Sequence, residues 1–172
     1  MDGVLADFDA AAAGIDNVCG NDLNRQTKEM DAVALNAKKM RWRRIEEKPT
    51  FWRDMPVMCG IDALVRVAAG RGEIFVLTKA PGAKNFAGGD VYVDFIEDEK
   101  RDWISRNMSE FFDNAHVIVA RIAKEELLHP GYDDILIDDR AGNVADWCAA
   151  GGRGIVFRDV DSAIIELTLA DS

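Results

Sequence analysis

The chain has 172 residues, a length that fits one domain or one domain with a small insert, and 48% of them are hydrophobic, enough for a sizeable core. A formal net charge of −10 argues against a general nucleic-acid-binding surface, and there is neither an apolar run long enough to span a membrane nor a signal-peptide pattern at the start. Three cysteines (Cys19, Cys59 and Cys148) are widely spaced, odd in number and without metal-ligand spacing, so they read as reduced, partly buried thiols of a cytoplasmic protein.

In chain order, Asp2-Gly3 reads as a turn and residues 4–8 as a short half-buried strand. Residues 9–48 are Ala-rich and charged, with apolar residues at helical spacing (Met30, Val33, Ala34, Ala37, Met40) and a break with a helix start at Gly20-Asn21-Asp22. The basic run Lys38-Lys39-Met40-Arg41-Trp42-Arg43-Arg44 is followed at once by Glu46 and Glu47 and reads first as a solvated helix face, with a ligand-facing role as the lesser alternative. A proline-bounded aromatic link, Pro49 to Pro56, precedes an amphipathic helix over 59–69 that stops at Gly70-Arg71-Gly72. Strands are expected at 73–78, 116–120, 134–138 and 154–157, with helices over 93–108, 142–150 and 162–169 and a loop over 80–90. Strands alternating with helices predict an α/β fold with a parallel, layered sheet.

The most informative stretch is Ile135-Leu136-Ile137-Asp138-Asp139-Arg140. A short aliphatic run of this kind reads as a strand covered on both faces, and two adjacent carboxylates at its exit repel unless a cation attends them. Strand ends are where open α/β sheets bind ligands, so one reading is a divalent-metal site. The other is a solvated turn, since Asp is a favoured turn residue. Another expected strand ends on a hydroxyl residue, Thr78, followed by Lys79, and a β-branched residue such as Thr78 can simply end a strand.

Together, Asp2-Gly3-Val4, Phe51-Trp52-Arg53-Asp54-Met55-Pro56, Leu77-Thr78, Glu99-Lys100-Arg101-Asp102-Trp103 and Leu136-Ile137-Asp138-Asp139-Arg140 with Asn143 resemble the haloacid dehalogenase (HAD) superfamily, and within it the 5'(3')-deoxyribonucleotidases. The resemblance implies a Rossmann-like parallel sheet, with residues 1–8 and 67–172 as the core and 9–66 as a small helical cap. It implies a Mg²⁺-dependent phosphatase acting through an aspartyl-phosphate on phosphate monoesters, deoxyribonucleoside monophosphates first, in a protein that spans no membrane and binds no nucleic acid; a homodimer is compatible with it. Asp2 matches the general acid and base, and its backbone carbonyl a Mg²⁺ ligand. Asp138 matches the metal-ligating carboxylate and Asp139 the neighbour that holds a metal-bound water. Thr78 matches the hydroxyl on the phosphate and Lys124 the lysine that neutralises it. Lys79, Lys100 and Arg140 are further phosphate or substrate contacts, and Phe51 and Trp52 are candidates to stack on a nucleobase.

Trp103 and Trp147 fall at core spacing and are expected to pack. In the family's pattern the nucleophilic Asp stands immediately before the position of Met1, fed by a strand between those of 73–78 and 134–138. Without that strand, both neighbours are expected to keep an unpaired edge. The alternatives are a phosphatase for another small phosphate ester, or a nucleotide- or phosphate-binding protein without turnover.

Overall fold

In the computed structural model, residues 1–16, 32–83 and 86–170 are described. The expected break at Gly20-Asn21-Asp22, part of the expected 9–66 cap, and Cys19 therefore lie outside the described residues. The chain is mixed α/β, with helices α1 (Phe8–Asp16), α2 (Ala32–Glu46), α3 (Ile61–Ala69), α4 (Gly89–Asn107), α5 (Lys124–Leu128), α6 (Ala141–Ala149) and α7 (Val160–Leu169). Its strands are β1 (Val76–Lys79), β2 (Val117–Ala120), β3 (Ile135–Asp138) and β4 (Arg153–Val156). Four of the five expected strands and the expected helices after residue 58 are present within a few residues of their sequence positions. No described helix is long and apolar enough to cross a membrane.

The strands pair as two parallel ribbons. β1 lies beside β2 with Thr78 opposite Val119, and β3 lies beside β4 with Asp138 opposite Val156. Parallel pairs need a crossover, and α4 and α6 lie within the two crossovers. Among the described residues nothing pairs with the second edge of β1 or β3. The space between them is an apolar cavity of about 470 Å³, bounded by Val76 and Leu77 on one side, Ile135, Leu136 and Ile137 on the other, and Met1 and Leu5. The expected unpaired edges are thus found at the two strands from which they were expected.

The amino-terminal residues depart from the expectation. Residues 4–8 are not a strand: Gly3 turns the chain at φ 78°, and the Met1 carbonyl accepts from the N–H groups of Val4, Leu5 and Ala6. Only a glycine adopts that φ without strain, and a Cβ here would also fall 2.5 Å from Asp139 Oδ2. Asp7 then caps α1, its carboxylate accepting from Ala10 N–H at 2.9 Å, which is why a helix begins at Phe8. The turn is stitched to residues 56–58 by Asp7 N–H to Pro56 O and Met58 N–H to Leu5 O, each 2.8 Å.

The larger of two hydrophobic clusters among the described residues joins Phe8, Ile45, Phe51, Trp52 and Met55 to Val76, Val117 and Ile155, and the smaller gathers Leu77, Ala120, Leu136 and Trp147. Trp103 and Trp147 pack as expected, each donating its indole N–H to a backbone carbonyl, Met55 at 2.7 Å and Asp134 at 3.2 Å. Cys59 and Cys148 are free and solvent-exposed rather than partly buried. The end of α2 is fastened to the approach to α4, because the Glu46 carboxylate accepts from Ala87 N–H at 3.0 Å and Gly88 N–H at 2.7 Å.

Gly154 on β4 sets the height of α6 over its ribbon, since a Cβ there would fall 2.6 Å from Val144 Cγ1. Gly154→Val is therefore expected to lower stability by about 1–3 kcal/mol through overpacking, read from urea or thermal unfolding.

Candidate functional site

The carboxyl ends of β1 and β3 and the amino-terminal turn open on a second cavity, of about 460 Å³. Its wall includes Asp2, Gly3, Thr78, Lys79, Lys124, Asp138, Asp139, Arg140 and Asn143, with Phe8, Trp42 and Trp52 on the aromatic side. Eight of the ten residues singled out from the sequence thus meet in one place: Asp2, Trp52, Thr78, Lys79, Lys124, Asp138, Asp139 and Arg140.

The local reasons differ from residue to residue. Thr78 and Asp138 are carried to the rim by the tips of their strands, and both are buried. Lys124 opens the short helix α5, and its ammonium donates to Asp138 Oδ2 at 2.5 Å. Asp138 Oδ1 accepts from Arg140 N–H at 2.8 Å, and Asn143 Nδ2 on α6 donates to both carboxylate oxygens at 3.0 and 3.1 Å. Burial alone would raise the pKa of Asp138. The Lys124 charge and these bonds outweigh it and hold the group below the usual carboxylate value.

Asp139 is the opposite case. The residue as a whole is exposed, yet its carboxylate is turned in against Gly3. No ion pair reaches it among the described residues. Burial of the carboxyl, and then the neighbouring Asp138 charge, push its pKa up to about 6. Asp2 is half committed: Oδ2 accepts from Lys100 at 2.5 Å, while Oδ1 is buried without a hydrogen-bond partner.

Two residues fall outside the wall. Phe51 is 1% exposed and sits edge-on between Phe8 and Trp52, so it is core and does not reach the cavity. Lys100 is 0% exposed and lies behind the wall rather than on it, with its ammonium engaged by protein partners. Trp52 does line the cavity but is itself 1% exposed and wedged among Phe8, Trp42 and Phe51, leaving little face to offer.

Trp42, Phe8 and Asn143 were not picked as site residues. Trp42 stands in the basic run read as a solvated face, and the structure corrects that reading in part. Lys39, Met40, Arg43 and Arg44 are exposed, while Arg41 is buried and Trp42 is half-buried on the cavity wall. The detectable signal was one aromatic amid charges. Asn143 could have been found from its place on the first turn of a helix that starts just beyond the paired acids.

The donor set suits a hard cation. Among the described residues Asp2 Oδ1 has no hydrogen-bond partner, Asp139 makes no ion pair, and the available donors are oxygens. No three His, Cys, Asp or Glu side chains form a ready metal cage among the described residues. Mg²⁺ commonly uses one or two carboxylates together with substrate phosphate and water. Asp2 and Asp139, with Asp138 adjoining, could therefore hold it. Compared with known protein families and with curated proteins, the chain finds no match.

Two outcomes follow. Because the folded-state pKa of Asp139 is raised, the folded protein binds the proton more tightly, and stability falls as pH rises from about 4 through about 6. Asp139→Asn removes that penalty, so thermal melts are expected to show a gain at pH 7.5 that shrinks towards pH 4. Lys124→Met strands a buried carboxylate and is expected to cost about 3–5 kcal/mol at neutral pH, with part recovered by adding Asp138→Asn.

Proposed function

We propose that this chain is a Mg²⁺-dependent phosphatase of HAD type, acting on phosphate monoesters and on deoxyribonucleoside monophosphates first. The observation that carries the reading is one pocket at parallel strand ends gathering Asp2, Thr78, Lys124, Asp138 and Asp139 from both ends of the chain. The reading takes residues 1–8 and 67–172 as a Rossmann-like core and 9–66 as its cap. It also accounts for the split sheet, since the apolar gap between β1 and β3 lies where the resemblance seats a central strand.

In this mechanism the Thr78 hydroxyl and the exposed Lys79 side chain bind phosphoryl oxygens. Lys124 spends one of its three N–H donors on Asp138, which leaves two for the phosphate. Mg²⁺, when bound by Asp2, Asp138 and Asp139, supplies neutralising charge at the phosphoryl group. Asp2 gives a proton to the leaving oxygen and later takes one from the attacking water. The nucleophilic carboxylate belongs, by the resemblance, two residues ahead of Asp2. It attacks phosphorus as the ester oxygen leaves, and water then releases phosphate from the aspartyl-phosphate. Trp42 replaces Phe51 and Trp52 as the aromatic that a nucleobase would meet, being the half-buried ring on the wall.

The test is Mg²⁺-dependent phosphate release from a panel of nucleotides and sugar phosphates. It is run on this chain and on a chain extended by an aliphatic strand that ends in Asp two residues ahead of Asp2. The extended chain is expected to turn over deoxynucleotides, Asp2→Asn to cut kcat by about 10²–10⁴-fold, and Trp42→Leu to raise KM for nucleotides but not for sugar phosphates. Hydrolysis of sugar phosphates alone would move the substrate assignment to another small ester. Calorimetric binding with no release from either chain would favour a binding protein, and neither binding nor release would end both readings.

A further inference from the structure

Lys100 is the largest charged side chain buried completely in the described structure, and its surroundings are unusually complete. Its ammonium donates to Asp2 Oδ2 at 2.5 Å, to Thr78 Oγ1 at 3.1 Å and to the Lys79 carbonyl at 3.0 Å. Those bonds use all three of its donors. The same nitrogen lies 4.9 Å from the centre of the Trp52 ring. All four partners line the pocket, whereas Lys100 does not. They come from three separate stretches: the amino-terminal turn, the tip of β1, and the aromatic link after α2.

We propose that Lys100 is a positioning residue, fixing from behind the wall the spacing and the atom-by-atom orientation of Asp2 and Thr78. This rests on the phosphatase reading for its consequence, though not for its geometry. An ammonium group can only donate, so Thr78 Oγ1 must accept from it, and the hydroxyl hydrogen is left to point at a phosphate oxygen. In the same way Lys100 occupies Asp2 Oδ2 and fixes the orientation of that carboxylate at the pocket wall, with Oδ1 left without a protein partner. The anchor itself is held rigidly, because Ile96, Trp103 and Ile104 on the same helix are all buried to within 1%. Trp103 also pins the aromatic link through Met55 O at 2.7 Å. One face of α4 therefore sets the relative placement of a proton donor, a phosphate donor and a cap segment.

A residue that touches phosphate and a residue that only places others differ in what their loss changes. The experiment compares Lys100→Met and Lys100→Gln with Lys79→Met in the active form of the chain. It measures kcat and KM on a deoxynucleotide, calorimetric affinity for inorganic phosphate with Mg²⁺, and amide exchange at residues 3–6. For the Lys100 variants kcat is expected to fall about 10- to 100-fold, as misplacement by roughly an ångström does. Phosphate affinity is expected to fall less than in Lys79→Met, and exchange at 3–6 to quicken. Lys79→Met is expected to weaken phosphate binding and raise KM while leaving exchange unchanged. Phosphate affinity lost in the Lys100 variants as in Lys79→Met, with saturated kcat retained, would make Lys100 a ligand and overturn the proposal. Unchanged exchange and unchanged kcat would overturn it too. If the chain hydrolyses nothing, the phosphatase reading fails by itself. Exchange and phosphate affinity then still decide the positioning role. The Gln variant, which keeps a polar donor, serves if Met prevents folding.

Discussion

A buried ammonium is tolerable only where its charge and its N–H donors are answered, and this chain buries two of them at one end of its strands. Lys100 meets Asp2 and Lys124 meets Asp138, each at 2.5 Å. Attraction between opposite charges strengthens as water is excluded, while the cost of leaving either partner alone rises with it. Each pair therefore acts as a constraint more than as a source of net stability. Lys100 draws the amino-terminal turn onto the tip of β1. Lys124 holds α5 against the tip of β3, and Asn143 brings the first turn of α6 to the same carboxylate. The pocket is the space these constraints leave between them.

The two ribbons are joined by other means than a shared ladder. Each has its own helical support, α4 against β2 and α6 and α7 against β4, and α3 packs on α7. The turn at residues 1–7 sits at the mouth of the apolar gap, with Met1 and Leu5 reaching into its wall. Exposed strand edges and apolar voids are both costly, so the gap is the least economical part of the fold. It lies beside the two strands, β1 and β3, at which the sequence reading expected an unpaired edge.

What could be read from the sequence divides along a physical line. Runs such as Ile135-Leu136-Ile137 and Val117-Ile118-Val119 announce strands, and acids or a hydroxyl at their exits announce a site, because local pattern and position at a strand end suffice. Depth is not local. Lys100 and Lys79 look alike in sequence, yet one is wholly buried and the other exposed, and only the tertiary partners Asp2 and Thr78 distinguish them. Phe51 and Trp52 lie in a turn with no periodicity to say which ring faces inward. Trp42 was hidden by the charges around it. A further missed local signal was Asp7, a standard N-cap residue whose role made residues 4–8 a turn leading to a helix rather than a strand.

Charge balance gives the pocket its chemical character. Its buried ammoniums, on Lys100 and Lys124, are already engaged by Asp2 and Asp138, and Asp139 adds a carboxylate whose charge is unfavourable where it sits, as its pKa of about 6 records. A phosphate monoester brought in alone would add negative charge beside that carboxylate, with the exposed Lys79 and Arg140 side chains at the rim as its main new partners. A hard cation alone would satisfy Asp139 and the free oxygen of Asp2 but carry excess positive charge. On the proposed reading the two are bound together, each offsetting the charge that the other brings beside Asp139.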